Sequence, residues 1–202
     1  FVKTGFPSEE ILRCARKIKA DLIVMKPYSE KIGGSARDRE SIGSTVDGVI
    51  RHQPCPVMIA NQPLSHSQLK FKNVLTCIDF SDSCENALGF ASELAPKCGS
   101  KIYLFHAYPS AFGQNRAPEH LHTAEIYQRL RQLSEKMPEG IENECILAEG
   151  DVPYMEILKC AREKDIDLVV MGSHTRRSGS QWYIGSVVER VCDHAFCPVL
   201  VV

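Results

Sequence analysis

What the chain lacks narrows its chemistry first. No stretch of its 202 residues approaches the roughly 18 consecutive apolar residues that a membrane-spanning helix needs; the longest runs, such as Leu168-Val169-Val170-Met171 and Pro198-Val199-Leu200-Val201-Val202, have only strand length. Neither sign of charge is in excess: 24 Lys and Arg against 25 Asp and Glu leave a net charge of −1, so no electrostatic footprint for nucleic acid or an anionic membrane exists. The strings Gly-x-Ser-x-Gly, Gly-x4-Gly-Lys-[Ser/Thr] and His-Glu-x2-His are all absent. Nine cysteines are present, but the number is odd and no Cys-x-x-Cys pair occurs, which argues against a disulfide framework or a zinc site. Cys14, Cys77, Cys145, Cys160 and Cys192 sit in strongly apolar segments, where a reduced cysteine acts as a small hydrophobe, and the expected compartment is cytoplasmic. His120 and His122 have no third ligand near them in sequence and read as surface loop rather than metal site.

What is present is an internal repeat. Glu10-Ile11-Leu12-Arg13-Cys14-Ala15-Arg16 followed by Asp21-Leu22-Ile23-Val24-Met25 returns 146 residues later as Glu156-Ile157-Leu158-Lys159-Cys160-Ala161-Arg162 followed by Asp167-Leu168-Val169-Val170-Met171. Ile42-Gly43-Ser44 through His52 to Cys55-Pro56-Val57 returns as Ile184-Gly185-Ser186 through His194 to Cys197-Pro198-Val199 at an offset of 142, so the connecting loop of copy one is four residues longer. Each stretch reads as helix, buried strand, loop, helix, buried strand. The strands are apolar without alternation, which fits parallel strands covered on both faces.

Copy two has an upstream half that copy one lacks. Val74–Ile78 reads as a strand ending at Asp79, with Asp82 and Glu85 as a capping pair for the helix beyond. Lys101–His106 and Ile141–Leu147 read as further strands, with a helical segment around Ile126, Leu130 and Leu133 between them. Alternating strands and helices predict an α/β fold: an open five-stranded parallel sheet with helices on both faces, of Rossmann-like type, plus the second half of a preceding copy. The expected boundaries are 1–60 for that half, 61–71 for a linker and 72–202 for the complete copy. Two strands cannot close a core, and the expectation is an upstream segment of the size of residues 72–149.

In an open parallel sheet, ligands bind at the carboxyl ends of the strands where strand order reverses. Asp79 after the first strand, Gly172 after the fourth, and Gly185-Ser186 opening the last helix converge there, and the helix start suits a phosphate. The loop 173–181 between them carries Arg176 and Arg177, which also read as solvated charges. Gly172 and Gly185 fit equally well as a tight turn and a helix start that the fold needs on its own account. Trp182-Tyr183 would shield this loop or pack against the other copy. His52 and His194, at equivalent helix ends, read as structural.

These residues resemble the universal stress proteins, whose nucleotide-binding members show a glycine after a strand, then G-x2-G-x9-G-[S/T], with an aspartate after the first strand. Here Gly172, Thr175 in place of the second glycine, Gly185 and Ser186 follow that spacing. The resemblance implies ATP or AMP in copy two, held by Asp79 at base and ribose, Met171 and Ala107 along the adenine, and Gly172, Gly185, Ser186 and Val187 around the phosphates, with Thr175 and Arg176 also counted among the nucleotide-binding residues and magnesium accompanying the nucleotide as the only metal. Copy one has Lys26 and Ser29 at the glycine positions, so its site is expected to stay empty. The implied function is a non-catalytic stress-response module; a nucleotide-hydrolysing or nucleotide-transferring enzyme and a ligand-free interaction module stay open. The resemblance also implies that the copies pair through their last strands, antiparallel, with Val57, Ile59, Val199 and Val201 buried, and leaves room for a further homo-oligomer; nucleic acid and membrane are not expected partners.

Overall fold

The computed structural model describes residues 4–27, 42–61, 70–110, 119–173, 176–178 and 181–202. The first repeat unit forms α1 (Pro7–Ile18), β1 (Ile23–Met25), α2 (Ser44–Arg51) and β2 (Val57–Ile59). Next come β3 (Asn73–Cys77), α3 (Asp82–Cys98), β4 (Lys101–Tyr108), α4 (Glu119–Glu135) and β5 (Asn143–Glu149). The second unit is α5 (Pro153–Glu163), β6 (Leu168–Met171), a hairpin of β7 (Arg176–Ser178) and β8 (Gln181–Tyr183), α6 (Ser186–His194) and β9 (Val199–Val201).

Seven strands make one sheet in the order β1-β2-β9-β6-β3-β4-β5. All neighbours are parallel except β2 and β9, which run antiparallel with Val57 opposite Val201, Met58 opposite Leu200 and Ile59 opposite Val199. The strands β9-β6-β3-β4-β5 are thus an open five-stranded parallel sheet, and the chain reverses its direction of travel across it between β3 and β6. One face is covered by α1, α2, α5 and α6, whose Val49, Ile50, Ala161, Val191 and Cys192 pack on Val57, Ile59, Val169, Val199 and Val201. The other is covered by α3 and α4, whose Ala87, Ala91 and Leu130 meet Val74, Leu104, Val170 and Leu200.

The α3–α4 layer does not reach β1. All four residues of β6 are buried, whereas in β1 Val24 remains 58% exposed, so the reading of both repeated strands as covered on both faces fails for the first. Sequence alone could not separate them, because both are equally apolar and only the neighbouring layer differs. The cap of α3 also differs from expectation. Ser81, not Asp82, is the N-cap: its Oγ accepts from the Cys84 amide at 3.3 Å, and Asp79 Oδ1 accepts from the Ser81 amide and hydroxyl at 3.1 and 2.7 Å. His52 and His194 occupy matched positions, each ring Nδ1 lying 3.2 and 2.9 Å from the carbonyl four residues back. The expected linker falls largely on residues 62–69, outside the described residues.

All nine cysteines are free. Burial pushes Cys160 up to about 11 and Cys192 and Cys197 up to about 12, from an ordinary 9.0. Unfolded thiols ionise near 9.0 while these keep their protons, so the stability they contribute is whole below pH 9 and is lost as pH climbs to about 12. Lys101 and Lys164, both raised chiefly by hydrogen bonds to Glu144, act with the same sign at higher pH. The urea midpoint is therefore expected to fall steadily from pH 9 upward; a midpoint flat to pH 11 would contradict this.

Candidate functional site

The reversal between β3 and β6 opens a crevice at the carboxyl edge of the sheet, and there lies a cavity of about 390 Å³. Its floor is the ends of three strands: Cys77 at the end of β3 with Ile78 and Asp79 beyond it, Phe105, His106 and Ala107 in β4, and Met171 with Gly172 at the end of β6. One wall is the start of α6 with Ile184, Gly185, Ser186, Val187 and Val188, and another is Pro153 and Ile157 of α5. Of the residues singled out from sequence, the structure brings Asp79, Ala107, Met171, Gly172, Gly185, Ser186 and Val187 around this one cavity. Thr175 lies outside the described residues, and Arg176 is described only as a backbone position opposite Tyr183 in the hairpin. Met25 and Lys26 of copy one are not part of it.

Sequence reasoning missed the apolar wall. Ile157 reads from sequence only as part of a helix and Pro153 is not singled out, although α5 follows β5 directly and so must start at the same carboxyl edge. Cys77 and Cys84 also line the cavity, and burial raises both thiols. They are neutral at physiological pH and belong to the apolar lining rather than to any thiolate chemistry.

The two conspicuous glycines have different explanations. A Cβ on Gly172 would run into the backbone carbonyl group of Ser83 and come within 2.8 Å of the Cys84 amide nitrogen, so close packing of the β6 end on the first turn of α3 already requires glycine. Gly185 is the N-cap of α6 at φ −63° and ψ 134°, an extended conformation open to any residue. Its backbone conformation therefore does not demand a glycine. In copy one the counterpart Gly43 has nearly the same backbone, and its amide donates to the Pro27 carbonyl at 2.8 Å.

A larger open groove of about 1230 Å³ runs between α3 and α4 near Lys72, Pro96, Ser100, Leu133 and Glu142. It lies at the amino ends of β3 and β4 and beside the carboxyl termini of both helices, whose partial negative charge opposes an anionic ligand. The smaller cavity is the better candidate for a phosphate-bearing one.

Comparison with known proteins decides the family: the model of the universal stress protein family matches residues 1–61 and again 70–202. The chain belongs to the universal stress protein family. Universal stress protein YxiE of Bacillus subtilis is 32% identical over 147 residues, 65% of this chain and 99% of that protein. A universal stress protein of Mycobacterium tuberculosis is 26% identical over 169 residues, 79% of this chain and 55% of that protein. A solved universal stress protein structure from Archaeoglobus fulgidus superposes over 99% of this chain and 67% of its own length with a TM-score of 0.67 at 22% identity, a likeness of fold. The two matched segments take in both stretches that carry the repeated sequence pattern. Among the described residues no helix is long and apolar enough to cross a membrane, and no group of three or more His, Cys, Asp or Glu could hold a metal.

Proposed function

We propose that this chain is a stress-response module that holds one adenine nucleotide, ATP or AMP, in the cavity of its second copy and performs no chemistry on it. The observation that carries the reading is the meeting of Asp79, Gly172 and the N-terminus of α6 around a single cavity of about 390 Å³, a size that suits a small-molecule ligand. The amides opening α6 at Gly185, Ser186 and Val187 carry the positive end of the helix dipole and would hold the phosphates. Ala107, Met171, Ile157 and Pro153 supply an apolar slot for the base, and the Asp79 carboxylate is an acceptor for ribose hydroxyls. Magnesium needs few protein ligands when phosphates supply its oxygens, so the absence of a carboxylate cluster among the described residues is compatible with it.

Copy one offers less. Lys26 stands where Gly172 stands in copy two, and the Gly43 amide is engaged by Pro27. We propose further that the β2–β9 contact is the pairing of the two copies, an approximate two-fold built within one chain. The test is chemical: purified protein, gently denatured, should release an adenine nucleotide identifiable by mass spectrometry, or bind added ATP in the micromolar range, about −8 kcal/mol at 1 μM. No released nucleotide together with no saturable ATP binding would reject the reading. Turnover of ATP at stoichiometric protein would replace it with an enzymatic one.

A further inference from the structure

Asp79 sits in a loop whose shape is held by His106, on the cavity floor, and by Phe80 and Arg129, which lie outside the cavity lining. The residue after it, Phe80, has φ +62°, the left-handed region that a bulky side chain rarely adopts and that persists only where the surroundings impose it. Two contacts impose it here. The Phe80 ring packs against the imidazole of His106, with centroids 4.9 Å apart and planes inclined at 46°, and the guanidinium of Arg129 lies 4.0 Å from the centre of the same ring. The His106 Nδ1 lies 2.7 Å from the carbonyl of Ile78, and because a carbonyl only accepts, Nδ1 carries the proton. The peptide before Asp79 is thus anchored by His106, and the residue after it is packed between His106 and Arg129. The carboxylate itself is turned by Ser81, whose amide and hydroxyl donate to Oδ1.

We propose that His106, Phe80 and Arg129 form a clamp that positions Asp79 for the ligand, so that Arg129, an exposed residue of α4 outside the cavity lining, sets affinity at the site. The role in ligand affinity rests on the nucleotide reading above; the role in holding the loop does not. All three members are positioning residues, and His106 and Arg129 come from elements on either side of the connection 109–118. Movement of α4 would therefore reach the carboxylate through one aromatic ring.

The test uses the intact chain and two readouts. Hydrogen exchange of the ligand-free protein should show the amides of residues 79–84 exchanging at least fivefold faster in Arg129→Ala than in the unmodified chain, with strands β3 and β4 unchanged. ATP titration should show a Kd raised about fivefold to tenfold in Arg129→Ala, with Arg129→Lys restoring most of both effects through its own cation. His106→Asn, which keeps a donor for the Ile78 carbonyl but no ring, should fall between the two. Unchanged exchange at residues 79–84 in Arg129→Ala overturns the clamp whatever the titration gives. Faster exchange in a protein that binds no ATP upholds the clamp and rejects the nucleotide reading instead. Faster exchange with an unaltered Kd overturns the claim that Arg129 sets affinity.

Discussion

Gly172→Val is expected to cost about 3 kcal/mol of folding stability and to lower the melting temperature by roughly 10 °C, whether or not any ligand is present. The new side chain has nowhere to go. Its Cβ would meet backbone atoms of Ser83 and Cys84, which belong to the first turn of a 17-residue helix and cannot swing aside as a flexible side chain would. Relief requires moving the start of α3 away from β6, which opens the packing of Cys84, Ala87 and Ala91, all buried to within 1% exposure. Gly150 is a useful contrast. There a Cβ would crowd only the side chain of Glu156, which can rotate, so Gly150→Ala should cost far less. A thermal melt of Gly172→Val indistinguishable from that of the unmodified protein would refute the packing explanation and return this glycine to the ligand.

The sequence made the repeat legible because its two units fill equivalent places in one sheet. Ile11-Leu12 with Ala15 and Ile157-Leu158 with Ala161 mark helices on the same face, and the open five-stranded parallel sheet followed from strands alternating with helices. What sequence misplaced has physical reasons. β5 was expected over 141–147 and runs over Asn143–Glu149, because it is an edge strand, half buried up to an exposed Glu149, and tolerates Glu144 and Glu149 where a central strand would not. β7 and the first residue of β8 fall in the stretch 173–181 read as loop, although Gly179-Ser180 between Arg176-Arg177-Ser178 and Gln181-Trp182-Tyr183 is a turn signal of the two-residue kind. At the candidate site Asp79, Gly172, Gly185 and Ser186 were legible from their places at strand ends and a helix start, whereas Ala107, Met171 and Val187 came from the family resemblance. The apolar wall of α5 and the His106–Phe80–Arg129 stack were not legible, since they arise from crossing elements brought together only by the fold.

Gly185 is where scaffold and ligand separate. Its φ of −63° and ψ of 134° suit valine as well as glycine, so Gly185→Val should alter stability by about 1 kcal/mol or less, the difference between helix-capping residues. In the cavity the same change sets a branched side chain against the amides that open α6, and a phosphate nested on those amides loses its approach. ATP binding should be lost outright while the fold remains. Gly43→Val places the same side chain in the same backbone geometry at φ −60° in copy one, where the amide is already engaged by Pro27. It should leave ATP binding untouched.

Calorimetric titration of ATP against the unmodified chain, Gly185→Val and Gly43→Val tests the central claim, one nucleotide in the second copy, most directly. One site per chain with micromolar affinity is expected in the unmodified protein and in Gly43→Val, and no measurable heat in Gly185→Val. Equal loss in the two variants, two sites per chain, or no binding by the unmodified protein would contradict it.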